Sequence, residues 1–257
     1  MRHGERRQRI LAVLDERDSV QIAELSKELG ASRETVRKDL QALDEQGLLT
    51  QVRGGAVGKV TAPESAYHAR RASQLSEKQA IASHAAALVE PGMTIFLDYG
   101  STNYVLARSL LAQPELTVIT NSFPIASLLA DSAHITTILP GGKIRANEQS
   151  LYGAPTLRNL AMLNMDLGFF GCAGIHPRAG VTNPHMEETH VSAAAMRQCG
   201  TSILLADHTK FGVIAPHTVA TATEFTEILT DSIADIDPSI VDALDHPHLT
   251  QAAGATS

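Results

Sequence analysis

Cysteine is scarce in this chain, long apolar runs are absent, and there is no surplus of positive charge. The two cysteines, Cys172 and Cys199, show no CxxC spacing, which argues against a disulfide framework and a zinc site and leaves two structural thiols in a reducing, cytoplasmic setting. Apolar stretches such as Thr201–Ala206 fall far short of the roughly 20 residues that cross a bilayer. The start, MRHGERRQRI, puts no apolar segment behind its charges, so neither a membrane span nor an export signal is expected. A net charge of −7 does not by itself favour a nucleic-acid partner. Residues 1–60 hold 11 Lys/Arg against 10 Asp/Glu, and the remainder 10 against 18. Placement rather than totals therefore decides the reading.

What is present begins with size: 257 residues, 44% of them hydrophobic, can bury one substantial core and still carry a second small module. Ile10, Leu11, Val13 and Leu14, behind Arg6, Arg7 and Arg9, predict a first helix over 4–17. Ile22, Leu25 and Leu29 predict a short second helix; Gly30 supplies a left-handed stop and Ser32 stands where an N-cap belongs. In the helix that follows, Val36, Leu40 and Leu43 share one stripe, while Glu34, Arg37, Lys38 and Gln41 project from the opposite side. A tight helix-turn-helix with that outer face suits the DNA major groove, where Arg bonds guanine bidentately and a helix N-terminus meets a phosphate. An ordinary solvated face would have the same composition. Gly47 ends the helix, and TQVRGGAV then alternates around Gly54-Gly55 as a small hairpin would, a wing with Arg53 near its tip.

The string Ser32-x-x-Thr35-Val36-Arg37-Lys38-Asp39-Leu40-x-x-Leu43, followed by Gly47 and Gly54-Gly55-Ala56, resembles the DeoR-type (deoxyribose-operon repressor) family of bacterial transcription regulators. Gln51 and Arg53 depart from the Arg and His common at those wing positions. The resemblance implies that Ser32, Arg33, Thr35, Arg37, Lys38, Gln41 and Arg53 meet a double-stranded DNA operator.

Between 58 and 75, Gly, Pro, Ser and the pair Arg70-Arg71 show no sustained period and read as a connector; the two arginines could touch the DNA backbone or simply be solvated, the latter being favoured. Ser76-x-x-Gln79 has the pattern of a capping box opening a helix that Pro91-Gly92 closes. Beyond it, apolar runs near 94–98, 116–120, 135–139, 166–170 and 202–206 alternate with helical segments near 103–112, 122–131, 154–164 and 187–199, the mark of an α/β domain with a mostly parallel sheet. Ligands in such sheets sit at the carboxyl ends of the strands. There stand Asp98-Tyr99-Gly100-Ser101-Thr102, Thr120-Asn121, Gly141-Gly142, Gly171-Cys172-Ala173-Gly174 and Asp207-His208-Thr209-Lys210. Glycines let backbone N–H groups approach an anion, hydroxyls add donors, a helix N-terminus adds partial positive charge and a lysine a full one, which together is phosphate chemistry.

This half also resembles the DeoR-type effector domain, in Glu77-Lys78, Asp98-x-Gly100-Ser101-Thr102, Thr120-Asn121, Gly141-Gly142, Asp166 with Gly171, and Asp207-x-x-Lys210-Phe211-Gly212. Ser101 stands where Thr is more usual. The resemblance implies an effector domain of ribose-5-phosphate-isomerase-like fold that binds phosphorylated sugars. It puts Asp98 beside sugar hydroxyls, Gly100, Ser101, Thr102 and Lys210 on phosphate and Asn121 and Glu187 at the sugar body, and counts Tyr99, Thr120, Gly141, Gly142 and Gly171 among the effector-binding residues. An isomerase of that fold would follow the strand DLGFFG with a carboxylate-rich turn, whereas this chain has Gly171-Cys172-Ala173-Gly174. A sensor needs binding without turnover, so no catalytic residue, cofactor or metal is expected. The resulting expectation is a winged helix at 5–57, a linker at 58–75, an effector domain at 76–235 and a tail at 236–257 holding a short helix. Together they make a homo-oligomeric repressor modulated by a phosphorylated sugar. An isomerase-like enzyme with a DNA-binding head and a DNA scaffold without effector are the alternatives.

Overall fold

The computed structural model describes residues 3–17, 19–45, 49–52, 54–57, 67–113 and 115–252. It divides into two compact units, Met1–Glu64 and Ser65–Ser257.

In the first unit, α1 (His3–Arg17), β1 (Ser19–Gln21), α2 (Ile22–Glu28), α3 (Arg33–Glu45), β2 (Thr50–Val52) and β3 (Gly55–Val57) surround one core. Ile10, Val13, Leu25, Val36, Leu40, Leu43 and Ala56 are among the residues buried in it. The turn between α2 and α3 is made as its residues require: Gly30 takes φ +60°, and the Ser32 hydroxyl accepts the Thr35 amide at 3.1 Å as an N-cap. β2 and β3 form the expected hairpin, paired Thr50↔Val57 to Val52↔Gly55. Arg53, expected near its tip, and Gly47-Leu48, expected to end the helix, lie outside the described residues. β1 adds a third strand in the order β1-β3-β2. It requires glycine at 55, where a Cβ would stand 2.0 Å from the Val20 carbonyl oxygen.

The second unit starts with α4 (Tyr67–Ala72) and α5 (Leu75–Ala87). Then come β4 (Thr94–Leu97), α6 (Ser101–Leu110), β5 (Leu116–Thr120), α7 (Phe123–Leu129), β6 (Ile135–Ile138), β7 (Lys143–Arg145), β8 (Ser150–Tyr152), α8 (Ala154–Leu160) and β9 (Met165–Phe170). The chain continues through β10 (Gly174–His176), β11 (Gly180–Asn183), α9 (Met186–Met196), β12 (Cys199–Leu205), β13 (His217–Ala220), β14 (Glu227–Thr230), α10 (Pro238–Leu244) and β15 (Leu249–Gln251). Seven strands form a sheet in the order β15-β14-β12-β9-β4-β5-β6, and every pairing in it is parallel. Side chains alternate across it. Ile95, Leu97, Val118 and Phe169 pack on one face with Ile81, Leu106 and Ile125, while Phe96, Ile119, Phe170 and Leu204 pack on the other with Leu160 and Val191. Burial of both faces explains why these strands read as continuous apolar runs.

Three expectations are corrected here. Residues 67–72, inside the expected linker, form α4, whose Tyr67 is buried; residues 58–66 lie outside the described residues. The Ser76 capping box is not made: α5 starts at Leu75 after Gln74 in the left-handed region (φ 49°), and the Ser76 hydroxyl donates to Glu77 instead. The turn from one helix directly into the next fixes that earlier start. Finally, the expected tail is structured well past its helix. α10 is capped by Asp237, and β15 pairs with β14 as the sheet's outer strand. Three residues are too few to display a strand period, so composition alone left this segment featureless.

Candidate functional site

β5 and β6 follow β4 toward one edge of the sheet, whereas β9 lies on β4's other side. The strand order therefore reverses between β4 and β9, and in open parallel sheets ligands bind beyond the carboxyl ends of the strands at such a reversal. The apolar run of β4 ends there in Asp98, whose amide donates to the Phe169 carbonyl oxygen at 3.0 Å. Gly100 takes φ +117°, a conformation L side chains rarely adopt, and this turns the chain straight into α6. Ser101 and Thr102 are buried in that first turn, where amide N–H groups point out of the helix with no carbonyl four residues back.

Asp98 is fully buried. Its carboxylate accepts the Ser192 hydroxyl at 2.7 Å and the Tyr99 amide at 2.9 Å. Burial pushes its pKa up to about 7, with those two donors pulling it down and the neighbouring Glu188 pushing it up. A carboxyl raised in the folded state contributes stability that is complete below its ordinary value near 4 and is lost as pH rises through about 7. Wild type is therefore expected to lose up to about 4 kcal/mol relative to Asp98→Asn between pH 4 and pH 8. Urea melts across that range read the difference directly; parallel pH profiles would contradict it.

Glu187, expected at the sugar body, and its neighbour Glu188 differ sharply in burial. Glu187 is exposed on the first turn of α9, while Glu188 is fully buried. Glu188 accepts the Ser150 hydroxyl and lies 2.9 Å from Arg145 Nε. Arg145 and Ser150 are delivered by the β7–β8 hairpin, which is fastened to the end of β5 by Leu151 N–H donating to the Asn121 carbonyl at 2.6 Å. The same hairpin carries Glu148, 1% exposed, with Arg145 Nη2 at 3.9 Å and paired also with Arg70 of α4.

The remaining predicted residues divide between site and scaffold. Gly171 faces the site, since a Cβ there would stand 3.5 Å from the Tyr99 carbonyl oxygen and 3.6 Å from Asn103 Nδ2. Lys210 ends a single 3-10 turn, His208–Lys210, after β12. Its charge is felt by Cys172, next to Gly171, where burial pushes the thiol up to about 12 against the pull of Lys210. That thiol is neutral and unsuited to nucleophilic work. Thr120 is buried, with its hydroxyl accepting the Ser122 amide at 3.1 Å, a turn-forming role. Gly141 takes φ +74° with open space where a Cβ would stand, and its carbonyl accepts the Thr156 hydroxyl at 2.6 Å, whereas a Cβ on Gly142 would meet that hydroxyl at 2.1 Å.

Several buried polar atoms in the second unit have no partner among the described residues. They are both amide ends of Asn103, the Asn121 Oδ1, the Asn183 Nδ2, the Tyr99 hydroxyl and the Glu188 Oε2. Each such group costs about 1–3 kcal/mol if left unmade. Asn103 and Asn121 stand at the carboxyl ends of β4 and β5, with Tyr99 and Glu188 beside Asp98. This is where a hydroxyl-rich ligand would find both donors and acceptors. Among the described residues no group of three His, Cys, Asp or Glu could hold a metal, and no helix is long and apolar enough to cross a membrane.

On the first unit, Ser32, Arg33, Glu34, Arg37, Lys38 and Gln41 are exposed, Thr35 is half-buried, and Val36, Asp39, Leu40 and Leu43 are buried. Arg37 pairs with Glu34 at 2.7 Å, an exposed contact worth little in water and easily exchanged for another anion. Asp39 faces inward, held by Arg6 and Arg7 of α1.

Comparison with known proteins extends these observations. Residues 6–60 match the family described as DeoR-like helix-turn-helix domain, and residues 73–232 match that described as DeoR C terminal sensor domain. The chain is 35% identical to the HTH-type transcriptional regulator YgbI of Escherichia coli (strain K12) over 229 residues, covering 88% of this chain and 89% of the relative. It is 27% identical to the glycerol-3-phosphate regulon repressor of the same organism, covering 97% and 98%. Among solved structures, ribose 5-phosphate isomerase A from Methanocaldococcus jannaschii aligns over 52% of this chain and 53% of its own, at 19% identity and a TM-score of 0.38.

Proposed function

The chain belongs to the DeoR family of helix-turn-helix transcription regulators, and from that premise we propose that it represses genes of sugar use and is modulated by a phosphorylated sugar or polyol bound at the carboxyl end of its parallel sheet. The observation that carries this is the set of buried polar atoms in want of partners beside a glycine-led helix start at the reversal of strand order. Lys210, which follows β12, is assigned to the phosphate within the same reading. The relative named as a glycerol-3-phosphate regulon repressor supports an effector of this class. A homo-oligomer, dimer or tetramer, belongs to the same reading, because paired half-sites mirror two-fold protein symmetry.

The DNA contact is assigned to the exposed face of α3. Arg37→Ala with Lys38→Ala is expected to weaken operator binding at least 10-fold while leaving the thermal transition in place, since both side chains stand clear of the core. A salt-controlled gel shift against an operator selected from random duplexes reads this. Unchanged affinity would remove the recognition-helix assignment.

Turnover is not part of the proposal, although Asp98 and Glu188 bring two carboxylates into the site. Asp98 and the Oε1 of Glu188 are engaged by internal donors, and the turn after β9 adds no acid to them. A general base must instead be poised on the substrate carbon. Purified protein incubated with ribose 5-phosphate should give no ketose phosphate above background. Saturable turnover that disappears in Glu188→Gln would replace the sensor by an enzyme.

A further inference from the structure

The arginines of the segment between the units were expected to be solvated, yet both are engaged within the second unit. Arg70 pairs with Glu148, which is 1% exposed, and the Arg71 guanidinium lies 3.8 Å from the centroid of the Tyr104 ring. Tyr104 belongs to α6, the helix that begins at Ser101. At the same carboxyl end of α4, the buried Lys78 donates to the Arg70 carbonyl at 2.6 Å and to that of Ser73. α4 is thus clamped to the helix of the anion-binding turn and to the hairpin that closes the site. It is also the first described element after the chain leaves the DNA-binding unit.

The ion pairs form one continuous series. Glu148 is shared by Arg70 and Arg145, and Arg145 is shared in turn by Glu148 and Glu188, whose second carboxylate oxygen is buried without a partner. Two buried carboxylates, Glu148 and Glu188, therefore share Arg145, and Arg70, 24% exposed, joins them at Glu148. A ligand that bonds either Arg145 or Glu188 changes how Arg145 is divided, and so changes how strongly Glu148 draws on Arg70. Neighbouring charges in such surroundings are weakly screened, so the adjustment is not absorbed by solvent.

On the strength of the effector site proposed above, we infer that Arg70 is a positioning residue that transmits effector occupancy to the connector, through the series Glu188–Arg145–Glu148–Arg70. It touches neither effector nor DNA. Its role is to give α4 one placement when Glu148 is shared with Arg145 and another when the ligand has claimed part of that partnership. Linkage then requires that the same series alter effector affinity when operator is bound.

The test measures operator affinity with and without each of glycerol 3-phosphate, ribose 5-phosphate, fructose 6-phosphate and inorganic phosphate, and uses the ratio as the readout. Wild type, Arg70→Ala, Arg70→Lys and, as a control on the exposed side of α8, Arg158→Ala are compared as full-length proteins. Arg70→Ala is expected to keep ligand-free operator affinity within about 3-fold of wild type and to lose most of the ratio, bringing it close to 1. Arg70→Lys, which keeps the charge, should restore a substantial part, and Arg158→Ala should match wild type. A ratio in Arg70→Ala equal to that of wild type, with or without a lowered melting temperature, overturns the transmission role and leaves the effector site standing. If no probe moves wild-type operator affinity, the effector reading itself fails and this inference falls with it. Should Arg70→Ala be too unstable to assay, Glu148→Gln keeps the shape of the pair without its charge. It must show the same collapsed ratio, and a wild-type ratio there is equally contradictory.

Discussion

Asp39→Ala is expected to destabilise the winged helix by about 3–5 kcal/mol and to take operator binding with it, although Asp39 sits on the recognition helix without facing DNA. The carboxylate is fully buried, and Arg6 and Arg7 of α1 both converge on it, the first with a side chain only 9% exposed. Removing the acid leaves guanidinium charge in a small core formed by Val36, Leu40, Ile10 and Val13. A unit of this size has only a few kcal/mol in hand, so the loss should be close to the whole of its stability. The second unit, with its own core, should melt as before. Far-ultraviolet circular dichroism with a gel shift separates this from loss of a base contact, because Arg37→Ala with Lys38→Ala removes binding from a folded unit. Wild-type affinity in Asp39→Ala would mean that the ion pair does not fasten α1 to α3. Replacing all three charges by apolar residues of similar volume should recover folding, since a well-packed apolar cluster is often at least as stable as a buried ion pair.

What could be read in the sequence followed from how strongly each segment constrains its own geometry. The stripe Val36–Leu40–Leu43, the Ser32 cap and Gly30 specify the helix-turn-helix locally, and all three do in the structure what their chemistry requires. The central strands are legible because burial on both faces leaves runs such as TIFL and LTVIT with no polar alternative. β1, β7, β8 and β15 are three residues each, too short for a period, and their pairing is decided by partners far along the chain. The site divides in the same way. Asp98 and the Gly100-Ser101-Thr102 turn lie on a strongly patterned strand–helix junction, which the structure forms between β4 and α6. Glu187 and Glu188 are adjacent on a helix whose small residues pack on several sides, so nothing local says which one turns inward. Asn103 could have been noticed, one residue past the turn. Arg145, Glu148, Ser150 and Ser192 are brought in by long-range contacts alone, and Arg70 looked solvated because its partner stands 78 positions away.

The second large effect concerns the turn that opens α6. A sugar phosphate carries roughly −1.5 to −2 charges near neutral pH, by analogy with protein phosphates. The elements proposed to bind that anion are the first-turn amides of α6, the hydroxyls of Ser101 and Thr102, and the ammonium of Lys210. Hydrogen bonds to charged groups contribute about 1.5–3 kcal/mol each. Ser101→Ala, Thr102→Ala and Lys210→Ala together should therefore weaken effector binding by at least about 100-fold. None of the three belongs to the DNA-binding unit, so ligand-free operator affinity should be unchanged. In a cell carrying an operator-driven reporter, the altered repressor should stay silencing when the sugar is supplied.

The decisive measurement is operator affinity of wild type and of this triple variant, side by side, with and without the phosphorylated sugar that most stabilises the wild-type protein against heat. The account predicts that the sugar shifts wild-type affinity and leaves the variant's unmoved, both proteins binding equally well in its absence. A variant that responds to the sugar as wild type does would put the phosphate elsewhere and contradict the assignment of the strand ends as the sensing site.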